Sequence, residues 1–501
     1  MKYRPFAALL VLAATLAPLA SAAEDKKAAP PETAPALLEA AALRADVAIL
    51  RRAYETLHPG LYRYNTPAQM DSEFRALEQE FGRDRTLAEA YLAFSVFAAK
   101  VKCGHTYANF YNQRKAVQQQ LFEAGRVPFY FRWLGDRMIV TRSFATDSRL
   151  VPGTEILAID GTPVARILER LLTVARADGN NEAKRRSYLE VQGNDRYEAF
   201  DIFFPLFFPA TAADFTLRIR GKEGESEIRV PHQSAAARRE LQAAAGATPE
   251  EDGPVWELSL LEDRLALLRM PTWALYDSSW DWKAFLATTF ERLEQSGIRD
   301  LVVDLRNNEG GVDVGDVIVS HLIRQPVPRQ VVHRRVRYRQ VPDDLVPYLD
   351  TWDPSFKNWG QAAIEEKDGF FRLRRDADDD PGAPISPAKP TFTGRLWVLV
   401  GAANSSATFE FAQTVRQNGI GKLVGQGTGG NQRGINGGAF FFLRLPNSGI
   451  ELDLPLIGQF PAEEKPDAGL EPDIPVTPTP ADIAAGRDVE IAAVRAARGN
   501  R

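Results

Sequence analysis

Cysteine is almost missing from this chain: its 501 residues contain one, Cys103. A single thiol makes no internal disulfide, so packing alone must hold the fold. Long apolar runs are missing too. Beyond residue 22 none approaches the ~18 residues that a membrane-spanning helix needs. Neither sign of charge dominates: 61 basic against 66 acidic side chains give a formal charge of −5, which recommends no nucleic acid as partner. Histidine is scarce, with five, so chemistry that needs an imidazole has few candidates. What is present is ordinary for a globular protein, 45% hydrophobic and 25% charged, and sufficient for a sizeable core.

Residues 1–22 have the pattern of a signal peptide. Lys2 and Arg4 give the positive start, residues 6–19 the apolar stretch, and Ala20-Ser21-Ala22 a small-residue cleavage site. The apolar stretch is too short to span, and no cysteine follows it to carry a lipid. The expectation is an exported protein, in a bacterial periplasm or secreted, with no integral membrane segment after cleavage. Residues 23–34 form an Ala/Pro/charged linker. Residues 35–125 are helical, with Leu43, Val47, Leu50, Tyr54 and Leu57 on one face. Residues 126–232 make a second module, 233–254 an Ala/Glu-rich connector, 255–485 a catalytic half, and 486–501 a C-terminal amphipathic helix or tail. The length points to roughly two to four domains.

The segment with most chemical content is 395–430, RLWVLVGAANSSATFEFAQTVRQNGIGKLVGQGTGG. Residues 396–400 are an apolar run of buried-strand type, 402–406 a turn of small residues, and 407–418 a helical pattern closed by Gly419. Ser406 therefore stands at a strand-to-helix junction, beside the unpaired amides of a helix's first turn. A serine there either caps the helix or acts as a nucleophile. Residues 301–311, LVVDLRNNEGG, repeat the theme, a buried strand and a polar turn ending in Gly310-Gly311, ahead of a helix-like run. Glycines let backbone amides approach a ligand closely. Two such strand ends in one parallel sheet would set a nucleophile beside an oxyanion hole at the sheet's carboxyl edge.

The segments LVVDLRNNEGG, ANSSATFEFA and LVGQGTGG, in that order, resemble the core of the tail-specific, or C-terminal processing, serine protease family. The resemblance covers most of residues 255–485. It implies an α/β fold: a crotonase-like (ClpP-like) spiral of ββα units, with an N-terminal helical region and an inserted PDZ-like domain. It implies Ser406 as nucleophile, with Gly310, Gly311 and the amide of Ala407 at the oxyanion hole. It implies a polypeptide substrate and no metal or organic cofactor, and it allows an oligomer.

One position departs from the family. Where its best-known members have a lysine base in the Gly-rich loop, this chain has Asn431, which cannot take a proton. Lys422, the nearest lysine, opens the next strand and matches no motif. Residues 100–107, KVKCGHTY, offer a substitute. They follow a helical run that Thr86 and Glu89 open as a capping box, with Leu87, Tyr91, Phe94, Ala98 and Val101 at helical spacing. His105 thus sits past a helix end in a Gly-containing turn, and an imidazole can act as base near neutral pH. The Gly-His-Thr turn resembles the tricorn-like branch, where a histidine from the first part of the core serves a serine from the second. The serine that precedes the tricorn histidine is Gly104 here, so the support behind His105 must differ. The tricorn carboxylate, placed by counting, is Glu464, with Glu463 or Asp467 as alternatives.

Other features carry less. His58 precedes a proline and packs or caps, and Cys103 lacks an oxyanion motif and fits a buried small residue. Residues 425–430, GQGTGG, are followed by NQRGINGG rather than the helix a dinucleotide loop needs. Residues 376–380, DADDD, have Pro381 where a calcium loop needs glycine. Within 126–232, VPGTEILAIDGTPV is a strand running into an Asp-Gly hairpin turn, the PDZ-like element. Such modules bind chain termini by strand addition, although no clear carboxylate loop is present beyond VPFYFRWLG at 127–135. Residues 341–390 form a long insertion whose Tyr348, Trp352, Phe356 and Trp359 line either a channel or a core. The reading that follows is an exported Ser-His peptidase. The alternatives are a non-catalytic ligand- or peptide-binding protein on the same fold, a scaffold acting through the PDZ-like module, and an esterase.

Overall fold

The computed structural model describes residues 36–244, 255–276, 278–374 and 383–499. The signal peptide, the linker, the end of the connector and the DADDD stretch lie outside the described residues.

The catalytic half is built on a six-stranded sheet. Strands Leu265–Arg269, Asp300–Asp304, Arg395–Val400, Gly421–Gly425 and Ile474–Pro475 run parallel in that spatial order, and Glu257–Leu261 closes one edge antiparallel. The unbroken apolar runs read from the sequence are what such a sheet requires, because both faces are covered. Leu301, Val303, Leu396, Val398 and Val400 enter one core with the helices Trp282–Gln295, Gly315–Ser320 and Ser406–Gln417. Val302, Trp397, Leu399 and Val424 face the other way, onto Ile491 and Val494 of the last helix, Val489–Gly499. The last helix, Val489–Gly499, is preceded by a short one. Thr479 caps Pro480–Ala484, and Gly486, at φ 61°, breaks the chain before Val489.

Register positions the site. Asp304 pairs with Leu399, so the turns leaving these two strands, one ending in Gly310-Gly311 and one in Ser406, emerge side by side. A second six-stranded sheet, antiparallel throughout, holds Asn436–Arg444 and Glu451–Pro461 at its centre, with 349–350, 332–336, 371–373 and 363–365 around them. Three short strands of the 341–390 insertion thereby belong to this sheet. Phe356 and Trp359 are buried in its core, whereas Trp352 is 58% exposed against Phe440 and Phe442.

Residues 36–125 hold the helices Ala40–Leu57, Pro67–Glu80, Leu87–Lys100 and Lys115–Leu121. All five residues of the first helix's apolar face are buried, and the Thr86–Glu89 capping box forms. This helical layer shares one core with the second sheet and with the middle sheet, whose strand order begins at Phe129–Leu134 and ends at Gly224–Pro231. There Glu155–Ile159 runs into the Asp160-Gly161 turn, both residues at positive φ, as a tight hairpin requires. Among the described residues no helix is long and apolar enough to cross a membrane.

Candidate active site

Ser406 is the first residue of the helix Ser406–Gln417, and its φ is 50°. For a residue with a side chain this left-handed conformation costs about 1–3 kcal/mol, and it persists only where the surroundings enforce it. The enforcement is visible. Asn404 accepts from the Gly401 amide at 2.7 Å and donates to the carbonyls of Leu305 and Asn308, stitching the serine turn to the glycine turn. Thr408 Oγ1 donates to Asn308 O at 3.0 Å, and Ser405 Oγ donates to Glu309 O at 3.1 Å. Ser405 is thus engaged and buried, while no hydrogen bond holds the half-buried Ser406 hydroxyl among the described residues.

The two glycines divide the work differently from the expectation. The Gly310 amide donates to Asn308 Oδ1 at 2.9 Å, so it is not free to hold an oxyanion. Gly310 contributes space instead: a Cβ there would lie 3.0 Å from both Ser406 Cβ and the Ala407 nitrogen. Among the described residues no hydrogen bond holds the amides of Gly311 and Ala407, and the latter adjoins Ser406. Gly311, at φ 144°, lies so close to the neighbouring backbone segment that a Cβ would meet Trp273 O at 2.0 Å. Gly310, at φ 108° and with a Cβ there meeting Ser405 O at 2.9 Å, is also strained by a side chain, so Gly310→Ala should lower the melting temperature as well as kcat/KM, the latter by about 10²–10³ through obstruction of the Ala407 amide. Gly311→Ala forces backbone apart and should destabilise by about 3 kcal/mol or more, seen as a lower denaturant midpoint.

His105 lies beyond the helix Leu87–Lys100, after Lys102 turns the chain at φ 58°. Its turn is fastened to the second sheet. Asn436 Nδ2 reaches Cys103 Sγ at 3.4 Å, the Asp453 amide donates to Tyr107 O at 3.0 Å, and Asn109 Nδ2 donates to Asp453 at 2.7 Å. A Cβ on Gly437 would stand 4.0 Å from His105 Nε2, and the ring lies 5.9 Å from that of Phe440. Burial pushes the imidazole below its ordinary value. Arg176 and Lys184 add to the lowering, and Asp178 and Glu309 oppose it. Glu309 immediately precedes Gly310, so the histidine turn and the serine turn meet electrostatically at that carboxylate.

Three charged residues absent from the sequence reading join these turns. Lys184 Nζ donates to Glu309 at 2.6 Å and to Ala403 O, in the serine turn, at 3.0 Å. Arg176 pairs with Glu309 at 3.3 Å and also donates to Gly104 O, next to His105. Burial opposes the charge of Glu309, but Lys184 and Arg176 prevail and hold its carboxyl down to about 2; its side chain is 47% exposed, so water weakens both pairs. Lys184 is no substitute for the missing lysine base, since its ammonium is committed to Glu309 and Ala403.

The other expected residues are as follows. Asn431 is fully buried, donating to Asp178 O at 3.1 Å and to Asp467 at 2.7 Å. Asp467 also accepts from Asn180, so of the three carboxylates considered it is the one in the network. Glu464, selected by counting, is exposed, and among the described residues no hydrogen bond joins it to His105. Lys422 pairs with Asp473 on the surface. His58 accepts from the Gly60 amide and bonds Thr106 Oγ1 at 2.8 Å, with burial lowering it to about 3, so it is a neutral strut. Burial pushes the Cys103 thiol up to about 11, against any role as a thiolate. A cleft of ≈ 330 Å³ opens beside Ala407, lined among others by Asp313, Arg334, Glu410 and Gln459.

Residues 264–476, which carry both the glycine and the serine turns, match the family described as Peptidase family S41. Over that stretch the chain carries an S41 peptidase domain. As such it is a serine-type peptidase, a hydrolase of peptide bonds. Solved structures share its mixed α/β fold. Mature CPAF aligns with the S41 peptidase at a TM-score of 0.61, 16% identity, over 91% of this chain and 96% of its own. Mature CPAF complexed with lactacystin aligns at 0.60 and 16%, over 89% and 95%. The photosystem II D1 C-terminal processing protease covers 88% and 93% at 14% identity, with a TM-score of only 0.40. No curated protein matches the S41 peptidase in sequence.

Proposed function

We propose that this S41 peptidase is exported and cleaves unstructured polypeptides or protein C-termini through an acyl-enzyme, with Ser406 as nucleophile and His105 as base. The observation that carries the reading is Ser406 itself. A serine is held at φ 50° on a strand-to-helix elbow, with its hydroxyl unengaged and two amides beside it. The steps follow from chemistry. Nε2 of neutral His105 accepts the hydroxyl proton as Ser406 Oγ attacks the peptide carbonyl, and the amides of Gly311 and Ala407 receive the oxyanion. The imidazolium returns the proton to the leaving amine, and water then repeats the sequence on the acyl-enzyme. The core is a crotonase-like spiral and the sheet of residues 129–231 a PDZ-like module on this reading. Export rests on the residue pattern of 1–22. The cleft beside Ala407 is where a substrate side chain would lie.

The test is covalent. The chain purified from residue 23 onward, treated with a fluorophosphonate probe, should be labelled on Ser406 and nowhere else, and should lose peptide cleavage in proportion. Labelling of another residue, or cleavage that survives complete labelling, would sink the reading. Tight peptide binding with neither labelling nor cleavage would put the non-catalytic alternative in its place.

A further inference from the structure

His105 Nδ1 is buried and, among the described residues, has no hydrogen-bond partner. A base histidine needs its second nitrogen held, because that contact fixes the tautomer and aims Nε2 at the nucleophile. Glu464 is exposed and, among the described residues, not bonded to it. A different carboxylate is already in place. Asp178 is 2% exposed and accepts from the Gly104 amide at 3.0 Å through Oδ1. Its second oxygen faces the same residue: a Cβ on Gly104 would lie 2.9 Å from Asp178 Oδ2. Gly104 has no positive φ that would call for glycine, so the space for Asp178 is what the missing side chain provides. The segment carrying Asp178 is pinned on both sides. The Gly179 amide donates to Lys102 O at 2.9 Å, and Asn431, at the position where other family members have lysine, donates to Asp178 O.

We infer that Asp178 is the positioning carboxylate of His105, supplied by the middle module, and that Gly104 is glycine to admit it. The inference rests on the reading of His105 as base. The competing carboxylates near the ring are committed elsewhere, Glu309 to Lys184 and Arg176, and Asp467 to Asn180 and Asn431. The imidazole faces Asp178 and Glu309 as anions and Arg176 and Lys184 as cations; of the two anions Asp178 is the stronger influence. Active-site hydrogen bonds are often long or misaligned without substrate, so the open Nδ1 is compatible with Asp178 as its partner in the working complex.

The experiment compares Asp178→Asn, Glu464→Gln and His105→Ala. Asparagine keeps an acceptor for the Gly104 amide, so the turn should survive. Asp178→Asn is expected to lower kcat by about 10²–10⁴ with little change in KM, the effect of losing the carboxylate behind a base histidine. In ¹⁵N-histidine NMR the His105 titration midpoint should fall by about one pH unit, since an anion that favours the imidazolium has gone. Glu464→Gln should change neither. Gly104→Ser, which pushes on Asp178 from the other side, should reproduce the kcat loss, and it decides the matter if Asp178→Asn does not fold. An unchanged midpoint and kcat in Asp178→Asn, or the same loss in Glu464→Gln, overturns the inference. If His105→Ala retains full cleavage, the Ser-His reading fails and this one with it; if only Asp178→Asn is silent, the base remains and its support lies elsewhere.

Discussion

Ser406→Ala is expected to reduce kcat/KM for peptide cleavage by about 10⁴–10⁶, the loss seen when a serine peptidase is deprived of its nucleophile. The substitution removes one oxygen that, among the described residues, bonds nothing, so the fold should melt within a few degrees of the parent. Ser405→Ala supplies the contrast. Its hydroxyl holds Glu309 O, so alanine there should cost about 1 kcal/mol of stability and only a modest part of the rate. Cleavage of a peptide pool and thermal melting of both variants distinguish them. Undiminished turnover by Ser406→Ala would remove the serine from the chemistry, and equal losses in the two would mean that the turn, rather than one hydroxyl, had been damaged.

His105→Ala should be about as severe, and the Ser406→Ala/His105→Ala double variant no worse than either alone, because nucleophile and base act as one unit. The pH profile adds an independent sign. The imidazole works as base only when neutral. Burial, reinforced by Arg176 and Lys184, moves its titration below the ordinary 6.5, so neutral imidazole persists into mildly acidic solution. The acid limb of kcat/KM should accordingly lie below pH 6.5 and vanish from the residual rate of His105→Ala. A limb above 6.5 would mean that anions dominate the ring's surroundings, or that the titrating group is another.

Much of this site is written locally in the chain. The apolar runs of 301–303 and 396–400, the turns that follow them and the Thr86–Glu89 cap all depend on residues a few positions apart, and each forms. What could not be read depends on partners far away in sequence. Nothing around Asp178 or Lys184 announces chemistry; Lys184 acquires its role from Glu309 and Ala403, more than a hundred residues on. Glu309 stood in plain view between Asn308 and Gly310, but its function is set by cations from another module. Counting to Glu464 leads to an exposed carboxylate for a related reason. Loop length between two site residues is not conserved by physics, only the position of the strand ends is, and the network carboxylate lies three residues further on. The engagement of the Gly310 amide was equally hidden, because it depends on a side chain two residues back, Asn308, turning onto it. The aromatic residues of the insertion divided between core and surface because strand pairing, invisible in composition, buried Phe356 and Trp359 and left Trp352 outside.

The nucleophile and its base belong to different hydrophobic cores. Ala407 and Phe409, next to Ser406, pack within the core of the parallel sheet, while Cys103 and Val101, next to His105, pack within the core that the helical layer shares with the other two sheets. Catalytic competence is therefore a relation between two bodies of packing and is contained in neither. Heat or denaturant that loosens the weaker core by a fraction of its stability would separate the pair by an ångström or two and silence turnover while circular dichroism still registered a folded chain. For this peptidase the temperature at which activity ceases would measure the seam between the cores, and the calorimetric transition would measure something else.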